Sequence, residues 1–373
     1  MMSAKPMFKG IAIALLVMTA LVFSGAREGY TADPVIKIGV GCPITGTAAF
    51  DGQMIRDGAI FAVEAYKGKI KNVELVIEDD KSEPKEGAAI ANKFAGDKAI
   101  VGVVGHYNSS VTLAAAPILT KGEITQISPG SSSPKITGFS KYLFRTQPTD
   151  ALTAVGIVEW ASQLGFKKAA VIYEETDFGH GLAHMYDQLW AKDGRQIVLK
   201  ESYQSGKTVD FSAILTKVKN SGADVALMGC LYNEGALIAK QSKQLGMQLP
   251  FFGEDSQISK AFLDLGGPAV EGWRSIGAYD PKAKNPLNQE FVKAFTAKFN
   301  KEPNSFAAQS YDATALILEG IIQKGADRAK VHGYVFNVKD FPGVSGKTSF
   351  VNGDASKQLA HFIVKGGAWV PAD

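Results

Sequence analysis

Residues 100–117 read IVGVVGHYNSSVTLAAAP, and this stretch decides the fold. Ile100–Gly105 is a short apolar run rich in β-branched residues. That length and composition fit a strand buried on both faces better than a helix. His106–Ser110 is polar, and small helix-compatible residues then run to Pro117. A buried strand that turns through a polar loop into a helix is one βα unit. Asn108, Ser109 and Ser110 stand where the helix opens, so capping of that helix by Asn108 or Ser109 is expected.

The same alternation extends in both directions. Upstream, VIKIGVG at 35–41 and VELVIEDD at 73–80 read as strands. The segment 51–68 carries Met54, Ile55, Phe61 and Ala65 on a helical period. Residues 85–98 read as a second helix and 124–130 as a fourth strand. After FRTQPTD at 144–150 the rhythm restarts, with Asp150 as the expected N-cap of a helix ending near Gly165. Strands are expected within 168–175, 196–203, 223–230 and 249–255, with helices between them. The tail from Lys347 to Val370 reads as two strands with turns at NGD and GG. Repeated βα units imply parallel sheets covered by helices on both faces. There are too many units for one open sheet. A closed eightfold barrel fails because the helices over 285–300 and 305–325 follow one another directly. The expected fold is α/β, with two doubly wound parallel-sheet lobes.

Composition narrows the function. The chain has 373 residues, 46% of them apolar, and a net charge of +3 with no basic run. Nothing in that balance calls for nucleic acid or anionic lipid. The start is different: Lys5 and Lys9 precede the apolar run IAIALLVMTALVF, and small residues follow at Ala26 and Ala32. This is the pattern of a secretory signal over 1–32, cleaved after Ala26 or Ala32. The apolar run is shorter than the ~20 residues that span a bilayer. Cys42 and Cys230 read as two small buried residues rather than as a disulfide.

In parallel α/β sheets, ligands sit at the carboxyl ends of strands. The first-half loops there are rich in Ser, Thr, Gly and Asn. Free first-turn amides and hydroxyls of that kind suit an anionic group. The second-half loops supply Phe178, Tyr232, Glu234, Glu254 and Asp255. An acid facing an amide and hydroxyl nest suits a zwitterion, whose charges must all be answered if it is buried. Catalytic readings fail. GVGCPITG at 39–46 is not a dinucleotide fingerprint, and neither Gly-Lys-Thr run has the preceding glycine of a phosphate loop. No nucleophile elbow is present. His180 and His184 have no third ligand, and His106, His332 and His361 stand alone. No catalytic residue, metal or cofactor is expected.

In this order, VIKIGVGCPITGTAAFDGQ, EDDKSEPKEGAAIANKF, GHYNSSVTLAAAP, FRTQPTD, DFGHGLA and SYDAT resemble the periplasmic binding proteins for leucine, isoleucine and valine. That is the type I class serving ABC importers, and the resemblance covers the chain beyond its leader. It implies three hinge crossings, with lobe 1 at 33–148 plus 278–338 and lobe 2 at 149–277 plus 339–373. It implies that Ser109 binds a ligand carboxylate with amides near Asn108 and Ser110. Gly130, Ser131 and Ser132 form the loop whose Gly130 carbonyl and Ser132 hydroxyl meet the ammonium. Asp255 would be the counter-charge, and Phe178 stands where the family often has Tyr. Tyr232, or Leu231 given a one-residue ambiguity, would cover the ligand, and Phe50 and Tyr107 would shape the side-chain pocket. It implies a monomeric, periplasmic receptor for leucine, isoleucine, valine or a similar amino acid, with an inner-membrane ABC permease as partner. The alternative ligand is an amide, urea or aromatic carboxylate. The chain departs from relatives that carry a disulfide between the positions of Ser82 and Asn108.

Overall fold

The protein's structure, a computed structural model, describes residues 34–192 and 194–372. The expected signal segment lies outside them. From Val35 onward the chain forms one unit built on two sheets of seven strands.

The first sheet begins with β1 (Ile36–Cys42), β2 (Val73–Asp79), β3 (Ile100–Gly105), β4 (Thr125–Ser128) and β5 (Leu143–Arg145). The second begins with β6 (Lys168–Glu174), β7 (Gln196–Tyr203), β8 (Val225–Gly229), β9 (Phe251–Gly253) and β10 (Arg274–Gly277). The chain ends with the short pair β11 (Phe341–Gly343) and β12 (Gly346–Thr348), then β13 (Phe350–Val351), β14 (Asp354–Ala355), β15 (Ala360–Lys365) and β16 (Ala368–Pro371). Strand order is β2-β1-β3-β4-β5-β14-β13 in one sheet and β7-β6-β8-β9-β10-β15-β16 in the other. The first five strands of each lobe therefore repeat one topology, while the last two differ, β14 lying parallel to β5 and β15 antiparallel to β10. β1 pairs in parallel with both β2 and β3, and β6 with both β7 and β8. The β1/β3 border and the β6/β8 border are the switch points, where successive connections leave on opposite sides and open a crevice.

The helices are α1 (Ala49–Ala65), α2 (Pro84–Gly96), α3 (Ser109–Lys121), α4 (Asp150–Gln163), α5 (Asp177–Trp190), α6 (Ser212–Asn220), α7 (Tyr232–Gln244), α8 (Lys260–Gly266), α9 (Pro286–Phe299), α10 (Ser305–Lys324) and α11 (Arg328–Phe336). β3 is buried along its whole length, as a parallel strand with helices on both faces must be. On one side of the first sheet, Phe94, Val103 and Leu119 pack together under α2 and α3. On the other, Ile38 and Val40 join a core that runs on through Trp160 and Trp190 into the second lobe.

Four differences from the sequence reading matter. The short strand β5 was not expected; its three residues are too few to show a period. The tail forms two hairpins rather than two strands. Their turns are Asn352–Gly353 and Gly366–Gly367, all with positive φ, which suits the twist of two-residue hairpins. β13 and β14 also belong to the first sheet, through Asp354 opposite Arg145. The third crossing therefore lies between Ala355 and Ala360, not at 338/339. Fully buried Arg145 fixes this arrangement, giving Nε to Asp354 at 2.7 Å and Nη1 to the Ser133 carbonyl at 2.8 Å. At α4 the cap is Thr149, whose side chain accepts from the Ala151 amide; Asp150 is the first helical residue.

Candidate functional site

The loops leaving β1 and β3 face those leaving β6, β8 and β9 across a cleft of about 540 Å³. This is where two switch points, one per lobe, place their open crevices.

On the first lobe the β3–α3 loop is held from behind. Gly105 has φ +140°, and a Cβ there would lie 2.2 Å from the Gly41 carbonyl oxygen. His106 is not isolated: its Nδ1 is 2.7 Å from Asp80 Oδ2, both side chains fully buried. Ser128 Oγ donates to the His106 carbonyl at 2.7 Å, and Ser131 Oγ lies 3.0 Å from the Tyr107 carbonyl. The loop after β4 thus locks onto the loop after β3. Gly130 is required there, since a Cβ would come within 2.6 Å of the Tyr107 ring. Ser131 is fully buried and serves as a strut behind the cleft wall rather than part of its lining.

Asn108 occupies the N-cap position of α3, but its side chain makes no capping bond. Its Oδ1 is buried with no partner among the described residues. Ser109 Oγ accepts from the Ser133 amide at 3.2 Å, so neither candidate caps the helix. The first-turn amides of Ser109 and Ser110 have no helical carbonyl to bond and present positive dipole ends to the cleft. Tyr107 donates its phenol to Asp51 Oδ2 at 2.9 Å, and Asn304 Nδ2 donates to Oδ1 at 2.9 Å. Burial pushes the Asp51 carboxyl up to about 8, against the pull of those two hydrogen bonds.

On the second lobe, Thr176 caps α5 and brings Phe178 to the cleft wall. Leu231, the N-cap residue of α7, lines the cleft. Tyr232 sits just behind it, its ring 5.8 Å from Phe50, which itself lines a neighbouring cavity of about 220 Å³. The loop after β9 offers Glu254 and Ser256 to the cleft. Both Glu254 oxygens lie 3.2 Å from the Ser256 amide, and burial raises its carboxyl well above the ordinary range, with the charge of Asp255 adding to the rise. Asp255 turns away from the lining. Its Oδ2 accepts from Gln147 at 3.1 Å and Ser305 at 2.7 Å, which ties it to the crossing segment after β5 and to the start of α10. Glu174, at the end of β6, also lines the cleft and is pushed up to about 8 by burial and then by the charge of Glu234.

Of the expected residues, Tyr107, Asn108, Ser109, Ser110, Gly130, Ser132 and Phe178 come together around one cavity; Phe50, Ser131, Tyr232 and Asp255 flank it. Glu174, Glu254 and Phe306 line it as well. Glu254 had a signal in the sequence, the acidic pair in FGEDSQ, whose two members differ in orientation. Phe306 had none, because it arrives from α10 across the fold. The lobes touch across the cleft: the Asp177 amide donates to Ser110 Oγ at 3.0 Å, and Lys135 pairs with Asp177 at 2.6 Å. Among the described residues no cluster of His, Cys, Asp or Glu could hold a metal, both cysteines are free and buried, and no helix is long and apolar enough to cross a membrane.

Residues 35–368 match the model of the periplasmic binding protein family. The Leu/Ile/Val-binding protein homolog 1 of Brucella suis is 33% identical over 331 residues, 87% of this chain and 85% of that protein. The leucine-binding protein of Thermotoga maritima superposes with a TM-score of 0.86 at 30% identity, covering 91% of this chain and 98% of that one. The branched-chain amino acid transporter substrate-binding protein of Streptococcus pneumoniae, solved with isoleucine, has a TM-score of 0.84 at 27% identity, covering 91% and 100%. With two repeated lobes, a cleft between them and a match over nearly the whole described chain, this protein belongs to the periplasmic binding protein family.

Proposed function

We propose that this protein is the extracytoplasmic receptor of an ABC importer, capturing a small α-amino acid between its lobes and presenting it to an inner-membrane permease. One observation carries the reading. The cleft has free helix amides and hydroxyls on one wall and buried carboxylates on the other. That polarity matches a zwitterion and leaves neither charge unanswered. The ligand carboxylate goes to the amides of Ser109 and Ser110 and the Ser109 hydroxyl. The ammonium goes to the Gly130 carbonyl, the Ser132 hydroxyl and Glu254, which takes the place expected of Asp255. Phe178 and Tyr107 close over the ligand with apolar surface. Closure needs contacts available only when both walls reach the ligand, which is a shift of population toward the closed hinge. Neutral amides and aromatic acids bring no cation for the second wall.

The similarity to amino-acid-binding relatives supports this reading, and the expected signal segment supports export. The test is calorimetry of the purified protein against the amino acids, short amides and benzoates. Binding of an amino acid near micromolar Kd, about −8 kcal/mol, is expected. Binding confined to amides or benzoates overturns the reading.

A further inference from the structure

The second wall holds more acid than one ammonium requires. Glu174 Oε1 accepts from Thr176 Oγ1 at 2.6 Å, but Glu174 Oε2 is buried without a partner among the described residues. Glu234, in the first turn of α7, repeats the pattern. Its Oε1 takes the Ser205 hydroxyl at 3.2 Å and the Gly206 amide at 3.1 Å, and its Oε2 has no hydrogen-bond partner among the described residues. The two side chains are 1% and 3% exposed. Ser205, whose hydroxyl goes to Glu234, lines the cleft beside Glu174, and the two carboxylates are close enough for the charge of Glu234 to raise Glu174 further. No lysine or arginine of the described residues pairs with either carboxylate.

An ionised carboxylate only accepts hydrogen bonds, and a buried one left unmatched is costly. An aliphatic side chain extending here would seal both oxygens away from water with nothing to bond. An ammonium brings three donors and a positive charge to two neighbouring acids whose like charges oppose each other. We propose that Glu174 and Glu234 form a side-chain subsite for the terminal ammonium of a diamino acid. This rests on the amino-acid reading of the cleft, with Glu254 kept for the α-ammonium.

The test is titration of the purified protein with L-lysine and L-norleucine, which share a four-carbon side chain and differ in the terminal ammonium. Wild-type protein is expected to bind L-lysine at least about tenfold tighter, the equivalent of one charge-assisted hydrogen bond. Glu174→Gln is expected to reduce that ratio about tenfold. Glu234→Gln reads the same ratio if the first variant does not fold. The wild-type ratio needs no variant at all. Equal or weaker binding of L-lysine overturns the subsite and leaves the amino-acid reading standing. Binding of no amino acid overturns both.

Discussion

Glu254 and Asp255 are adjacent acids with different duties. Asp255 spends its Oδ2 on Gln147 and Ser305, while Glu254 faces the cleft. Replacing Glu254 with Gln removes the charge proposed to meet the ligand ammonium. Amino-acid affinity measured by calorimetry should fall by about 1.5–3 kcal/mol, roughly ten- to a hundredfold. Asp255→Asn keeps a hydrogen-bonding group at the crossing segment and should cost less. The opposite ranking would return the counter-charge role to Asp255. The sequence located the loop but not which of its two acids lines the cleft. In a short irregular segment no period says which of two neighbours faces inward. Asn108 shows the same limit: residue type marked a cap, yet its side chain makes no such bond and Ser109 is engaged by the Ser133 amide. In contrast, Ser109, Ser110 and Gly130 were legible because strand-end loops in a parallel sheet have one place to go.

Strands and helices were legible wherever burial imposed a period. β1, β3, β6 and β8 are apolar runs between turn residues, and the helices between them follow the 3.6-residue repeat. β5, β13 and β14 escaped because two or three residues carry no pattern. They exist through tertiary pairing, above all through Arg145 and Asp354. Asp354 also accepts from Thr137 Oγ1 at 2.8 Å. Asp354→Ala therefore leaves a fully buried guanidinium short of its partner and should cost about 3 kcal/mol in denaturant unfolding. A loss below about 0.5 kcal/mol, the scale of an ordinary surface substitution, would show that the hairpin does not need this pair. Arg145 also holds the Ser133 carbonyl, so the same variant should loosen the loop carrying Gly130 and Ser132 and weaken ligand binding.

At the scale of the molecule, burial raises a set of carboxyls above the ordinary range. Asp51 and Glu174 are raised to about 8, Asp150 to about 7 and Asp255 to about 6, in each case chiefly by burial. Unfolded, such groups titrate near 4. Between about 4 and 8 the native chain therefore holds protons that the unfolded chain has released. Their contribution to stability is complete below pH 4 and is lost as pH rises through the folded values. Asp79, Asp97 and Asp177 are lowered instead, so their contribution is lost only on acidification below the ordinary carboxylate range. Ligand-free protein should melt at a higher temperature at pH 6 than at pH 8. A melting temperature that climbs over that interval would contradict the upward shift of these acids.

The two-lobe plan itself was legible in the alternation of strand and helix, because only parallel sheets bury such runs on both faces. The third crossing was not, since it depends on which sheet claims two short strands. The central claim is that a zwitterion spans the cleft between α3 and the second-lobe acids. A crystal structure of the complex with the tightest-binding amino acid tests it most directly. The carboxylate is predicted within about 2.7–3.2 Å of the Ser109 and Ser110 amides, with the α-ammonium on Glu254. A ligand bound outside the cleft, or one inside it with its carboxylate turned toward the second lobe, would contradict the account.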